Sequence, residues 1–272
     1  MIYDLQKASL TKRLSAFLFD FIILMVAVTG TMLAVASLSG FDSYLNQFEK
    51  RRDEIYIKNT ISEHEEKYKD SKEDRVNFND YQFLTDEEKA KLPEEVCKSF
   101  DACSKELSSD AELIRLYEIL MSLSLTILSL GLLIPFIVFE FAVPIFLKNG
   151  QTLGKKIFSI AIMGVDGIRI SPFVLFVRAI LGKYTIGTMV PLLMILSLVL
   201  GGSPIITLSV ILLILLLQII LCITSKTNSL IHDYLASTVA VDFQSQMIFD
   251  SVEDKNAYIL RIHSEGHTTN DI

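Results

Sequence analysis

Arg13 and Asp20 stand seven positions apart at the start of a stretch otherwise suited to hydrocarbon, and Asp20 is the one charged residue between Leu14 and Leu38. Placing a carboxylate there costs roughly 2.5–3.5 kcal/mol on insertion scales, so such a group faces a bundle interior or a water-filled cavity. Seven residues make two helical turns, about 10 Å of rise, and bring both side chains to nearly one helix face. A pair of this kind can bind and release a proton or cation, with the arginine tuning the carboxylate.

Three further ionisable residues occur in similar surroundings. Glu140 lies between Pro135 and Pro144. Each proline removes a backbone donor and kinks or breaks a helix, and the freed carbonyls beside a carboxylate could coordinate a cation. The alternative is that Glu140 sits at headgroup level, eight residues before Lys148. Arg178 and Lys183 interrupt an apolar helical segment that begins at Ser171-Pro172. Arg178 either snorkels to lipid phosphate from an interfacial helix or turns inward toward a carboxylate. Asp233 follows His232, but adjacent residues do not face one another on a helix. Asp233 could cap a helix, pair with Lys226, or join the inner polar site. The candidate ion or ligand site is therefore Arg13, Asp20, Glu140, Arg178 and Asp233.

Other chemistries fit poorly. Asn149-Gly150-Gln151-Thr152-Leu153-Gly154-Lys155-Lys156 is superficially like a phosphate loop. Three residues rather than four separate its glycines, Lys156 stands where a hydroxyl is needed, and an apolar helix rather than a strand precedes it. The segment reads instead as a flexible basic link to anionic headgroups. No nucleophile motif or HExxH is present. The expectation is a protein that is not an enzyme, with no cofactor, no metal and no nucleic-acid partner.

The elements that must position these residues are membrane helices. Tyr184–Ser225 contains no Asp, Glu, Lys, Arg or His, about twice the ~20 residues of one span. Gly201-Gly202-Ser203-Pro204 divides it into two helices. With stretches near 14–39 and 117–141, four spans result, the last two near 184–200 and 205–225. The predicted class is an all-α integral membrane protein with a large charged, mostly helical extracytoplasmic insertion between spans one and two. The first apolar run is too long for a signal-peptide core of ~7–15 residues, so an uncleaved span is favoured. Lys7, Lys12 and Arg13 flank span one, and Lys148, Lys155, Lys156 and Arg169 fill the link after span two. By the positive-inside rule both places read as cytoplasmic. This gives a multi-pass cell-membrane protein with both termini inside and the lipid bilayer as its first partner.

Four segments follow: 1–39, N-terminus and first span; 40–116, acidic insertion; 117–241, the remaining spans with a basic link and an interfacial helix; 242–272, a mobile cytosolic tail. The insertion carries 20 Asp and Glu against 13 Lys and Arg, a net −7 that equals the charge of the whole chain. Phe41, Leu45, Phe48 and Ile55 suggest that span one continues outward as an amphipathic helix. Thr85-Asp86-Glu87-Glu88 and Ser109-Asp110-Ala111-Glu112 read as capping boxes. The stretch 62–80 is polar enough to be poorly ordered. Cys97 and Cys103, with five residues between them, could close a small disulfide loop outside the cytoplasm, although spacing alone cannot place their Cα atoms within bridging distance. Cys222 reads as a small apolar packing residue.

Taken in order, these residues resemble the RDD family of small membrane proteins, named for one arginine and two aspartates. Arg13 and Asp20 match its first-span pair. Glu140 to Lys156 is similar to its link after span two, Arg178 matches a further basic residue, and His232-Asp233 with Thr238 resembles its closing motif. The insertion 40–116 and Tyr234, where an arginine often follows the aspartate, depart from the pattern. The resemblance implies a membrane domain suggested to take part in transport and names no substrate. Two functions are carried forward. One is transport of a small solute or ion (a monovalent cation or proton) through a polar site in the cytoplasmic half of the membrane, in a protein too small to work without forming a homo-oligomer. The other is a structural or interaction protein whose charges hold its helices together and whose external loop docks a partner.

Overall fold

The computed structural model describes residues 4–67, 77–225 and 227–268, with side chains described as far as 262. Four helices are long and apolar enough to cross a membrane: Leu10–Ser39, Ala111–Phe146, Pro172–Val199 and Pro204–Thr224. They are apolar around most of their circumference, which suits lipid on every side not covered by a neighbour. Ile205, Leu213 and Ile223 are accordingly left exposed. Pro172 and Pro204 each occupy the first turn of their helix, where the missing N–H costs no hydrogen bond. Ser171 caps the third span by accepting from Val174 N at 3.3 Å.

Of the two outcomes expected of Pro135 and Pro144, a kink or a break, the break does not occur, and Ala111–Phe146 is one helix. The helix runs through Pro135 and Pro144 by widening to a π-helix over Ile137–Ala142. Val143 N bonds the carbonyl of Val138, five residues back. Span three widens likewise over Val177–Met189, just before Pro191, and Thr185 and Thr188 donate to carbonyls five residues earlier. A separate interfacial helix is also not found, since residues 172–199 form one helix with Arg178 and Lys183 on its wide turns.

The chain divides into two compact units. The first comprises residues 1–31 and 131–272. At its centre is a two-stranded antiparallel sheet of β1, Ile160–Gly164, and β2, Thr238–Asp242, in register Ile162↔Ala240. The all-α expectation is corrected here. A turn at Asp166-Gly167 follows β1, with Gly167 N bonding Gly164 O at 3.0 Å, and one isolated bridge, Met163↔Arg169, spans it. The partner of β1 lies some 75 residues onward, beyond the reach of a local pattern. Both sheet faces are covered. Ile160, Ile162 and Ala240 pack against Ala8 and Ala16, while Ala161, Met163, Val239 and Val241 pack toward Ile248.

The segment after β2 is not a loose tail. Gln246 and Phe249 are buried, Phe249 N bonds Gly167 O at 3.1 Å, and Val252–Thr268 is helical.

The second unit, residues 32–130, holds short helices around its own core. Ile55, Ile61, Phe78, Tyr81, Phe100 and Cys103 are buried together, with Phe78 and Tyr81 edge-on to Phe100 at 5.4 and 5.2 Å. Gly40, with φ +71°, separates Phe41–Lys58 from the first span, so the amphipathic helix is a distinct element rather than a continuation. The Thr85/Glu88 capping box forms. At the second expected box the cap is Asp110, accepting from Leu113 N at 2.8 Å, and Ser109 closes the preceding helix. Within 62–80, Ile61–Lys67 and Phe78–Tyr81 are helical, and 68–76 lie outside the described residues.

Cys97 and Cys103 are free thiols, which corrects the disulfide expectation. Both lie on the helix Glu94–Ser109, where a separation of six places their Cα atoms about 9 Å apart. That exceeds the ~7 Å limit for a bridge. Burial also pushes the Cys103 thiol up to about 11.

Candidate functional site

All five sequence-predicted residues reach the wall of one cavity of about 350 Å³ within the first unit. Arg13 and Asp20 come from span one, Glu140 from span two, Arg178 from span three, and Asp233 from the short helix Ile231–Leu235. Single-residue reading did not assign Lys155, Lys183 and His232 to the site, yet they line it too. A volume near the lower end of small-molecule pockets, ~300–1,000 Å³, suits a small solute.

Arg13 and Asp20 share a face of span one but do not pair. Arg13 donates from Nη1 to the carbonyl of Asn228 at 3.0 Å and from Nη2 to that of Ala240 in β2 at 2.7 Å. Its Nε is buried and has no hydrogen-bond partner among the described residues. Asp20 instead accepts from the Thr152 hydroxyl and from Gly154 N, the latter at 2.7 Å. Lys155 Nζ lies 4.0 Å from the same carboxylate and 3.0 Å from Thr152 Oγ1.

The segment read as a flexible basic link is therefore a built wall. Gln151 and Thr152 are buried, Gln151 donates to Ile160 O at 2.8 Å, and Thr152 caps the helix Leu153–Ile157. Gly154 is required by close approach. A Cβ there would lie 2.4 Å from the carbonyl oxygen of Ala16 and 3.0 Å from the Asp20 carboxylate.

The remaining carboxylates each meet a cation. Lys183 Nζ contacts Glu140 Oε2 at 2.5 Å, joining the two π-helical segments. Arg178 donates from Nε and Nη2 to Asp233 Oδ1 at 2.9 and 2.6 Å, and both side chains are almost wholly buried. Thr238 Oγ1 adds a longer contact to the same oxygen at 3.3 Å. Arg178 therefore turns inward and does not snorkel. His232 Nε2 lies 3.6 Å from Asp233 Oδ2, and the backbone of His232 packs so closely on span three that a Cβ on Gly182 would fall 2.6 Å from its Cα.

Burial sets the protonation of the groups on the connecting segments. It pulls the Lys155 ammonium down to about 7, with Lys183 acting in the same direction and Glu140 against it. It lowers His232 to about 3, leaving a neutral imidazole at pH 7. For Asp233 burial would raise the carboxyl, but Arg178 outweighs it and holds the group well below the usual carboxylate range. No cluster of three or more His, Cys, Asp or Glu able to hold a metal is found among the described residues.

Helices and cavity together define a multi-span membrane protein with a charged pocket among its helices. The RDD family model matches residues 116–237. That stretch, which contains Glu140, Arg178 and Asp233, is similar to the RDD family, consistent with an RDD family membrane protein. Arg13 and Asp20 lie outside the match. No curated protein and no solved structure matches the chain.

Proposed function

We propose that this protein takes part in moving a small ion or solute across the membrane, with the charged cavity as its binding site. The observation that carries the reading is the convergence of Arg13, Asp20, Glu140, Arg178 and Asp233 on one cavity of about 350 Å³. Ionisable groups within spans usually mark substrate or proton pathways. With the basic links facing the cytoplasm, the cavity lies in the inner half of a cell membrane, both termini are inside and the acidic insertion is outside. Four spans enclose little volume, so a homo-oligomer is part of the proposal.

The geometry favours Lys155 over the carboxylates as the group that exchanges a proton. Glu140 and Asp233 are committed to Lys183 and Arg178, and Asp20 to Thr152 and Gly154. Lys155 has no carboxylate oxygen closer than 4.0 Å, and it titrates near neutrality. It is faced by Asp20 of span one, Glu140 of span two, Arg178 and Lys183 of span three, and His232 of the Ile231–Leu235 helix.

Flux in proteoliposomes tests the proposal, with gradients of Na⁺, K⁺, H⁺ and phosphate supplied in turn. At least one gradient should dissipate faster than in empty vesicles, and Asp20→Asn should abolish that flux while the protein stays inserted and folded. Unchanged flux in Asp20→Asn would remove the cavity from the mechanism.

A second reading rests on the same ion pairs. Arg178–Asp233 and Lys183–Glu140 would be struts, and the acidic insertion would dock a partner. On that reading Asp20→Asn lowers thermal stability and partner recovery, and no gradient is dissipated by the wild type.

A further inference from the structure

Four cations and three carboxylates line the cavity: Arg13, Lys155, Arg178 and Lys183 against Asp20, Glu140 and Asp233. Two cations are neutralised by direct contact, Arg178 by Asp233 and Lys183 by Glu140. The third carboxylate, Asp20, takes its short hydrogen bonds from neutral donors, a hydroxyl and a backbone N–H. Arg13 is left facing carbonyl oxygens, with its Nε buried and unpartnered among the described residues. A guanidinium offers five donors in a rigid fork matched to the two oxygens of a carboxylate or phosphate. Here only two are placed on protein oxygens. Asp233 acts on Arg13 electrostatically but is bonded to Arg178, so Arg13 has no carboxylate in direct contact among the described residues, and removing such a cation from water is costly.

We propose that the cavity binds an oxyanion, the phosphate or carboxylate group of a small solute or of a lipid, between Arg13 and Lys155. The inference rests on the reading of this cavity as a solute site and gives that solute a chemical class. It departs from a cation site, since every carboxylate that could coordinate a metal ion already accepts from protein donors. The wall beside Arg13 is apolar. Leu10, Leu14 and Phe17 on span one line the cavity and are each more than half exposed. That wall can take a hydrocarbon portion attached to the anionic head, which is the shape of an anionic amphiphile as well as of a small organic acid.

The test is equilibrium binding to the full-length protein in nanodiscs. In phosphatidylcholine discs the probe is radiolabelled inorganic phosphate. In a second arm, fluorescent phosphatidylglycerol at low mole fraction is the probe, and its enrichment around the protein is read. Saturable binding of either probe is expected, weakened about tenfold by Lys155→Gln through loss of a charge-assisted contact. Arg13→Lys, which keeps charge but not the fork, should weaken it by a similar factor. Phosphate binding identifies a soluble oxyanion; lipid enrichment without phosphate binding identifies a headgroup. Melting temperatures are measured alongside, and if Arg13→Lys fails to fold, Lys155→Gln decides.

Absence of both signals in the wild type would overturn the proposal, as would binding unchanged in a folded Lys155→Gln protein. Phosphate bound at equilibrium without flux would keep the oxyanion site and remove transport. Na⁺ or K⁺ flux with neither probe bound would keep transport and remove the oxyanion site.

Discussion

Arg178 and Asp233 form a buried side-on pair in which two guanidinium nitrogens, at 2.9 and 2.6 Å, share one carboxylate oxygen. The contact ties span three to the short helix Ile231–Leu235, whose chain continues directly into β2. Removing one partner of a buried pair strands the other charge, at a cost of about 3–5 kcal/mol, whereas replacing both by apolar groups is often neutral. Asp233→Asn and Arg178→Met should each lower the melting temperature in detergent strongly. The double variant Arg178→Met, Asp233→Leu should recover most of the loss. A single variant that melts with the wild type would contradict a load carried by this pair.

His232 gives the fold a pH dependence of known sign. Its folded value lies near 3 against an ordinary 6.5, because burial disfavours the imidazolium. Below pH 6.5 the unfolded chain gains a proton that the folded chain refuses. Stability from this group is complete above pH 6.5 and falls as pH drops toward 3, by up to about 1.4 kcal/mol per pH unit. Melting curves between pH 4 and 8 should show the decline in the wild type and a shallower one in His232→Gln. Parallel curves would show that His232 is reached by solvent.

Close backbone approaches predict intolerance at two glycines. The Cβ of Gly182→Ala would meet the Cα and Cβ of His232 at 2.6 and 2.5 Å, and that of Gly154→Ala the carbonyl oxygen of Ala16 at 2.4 Å. Backbone must shift in both cases, a form of overpacking that costs about 1–3 kcal/mol. Gly154→Ala should also displace the hydrogen bond to Asp20. Gly30→Ala, with nothing within 4 Å of the added methyl, serves as the tolerated control. Thermal unfolding of the three variants checks the order.

The thiols offer a direct check on the second unit. Cys97 and Cys103 are free, so reductant should leave the melting temperature unchanged, and intact mass should show two unbridged thiols at these positions. Cys103→Ser buries a hydroxyl in an apolar core beside Phe100 and should cost about 1–3 kcal/mol. Cys97→Ser, at a partly exposed position, should fall within about 0.5 kcal/mol of the wild type.

The membrane spans and the ionisable residues inside them were legible in the sequence because hydrocarbon imposes a simple rule on each residue separately. Asp20 and Arg178 stood out for that reason. What they contact was not legible. Asp20 pairs with a segment more than 130 residues away, and one of its two short hydrogen bonds comes from a backbone N–H, which leaves no mark on residue identity. Lys155 and Lys183 passed as headgroup cations, since a lysine at a span end has an easy alternative in snorkelling. The signal that could have separated them was small-residue placement: Gly154 precedes Lys155 directly, and Gly182 precedes Lys183. The β1–β2 pairing escaped because TVAVD at Thr238–Asp242 is short and its partner is remote. The Cys97–Cys103 expectation failed on geometry, since a helix carries residues six apart too far along its axis for a bridge.

Flux controlled at Cys222 tests the cavity as a transport site most directly. Cys222 lines the cavity and is the one cysteine in its unit. In a Cys97→Ser background, where the remaining Cys103 is fully buried, a bulky maleimide should modify Cys222 and stop the flux seen in proteoliposomes. Cys222→Ala should transport and be indifferent to the reagent. Flux that continues after complete modification of Cys222 would contradict passage through this cavity.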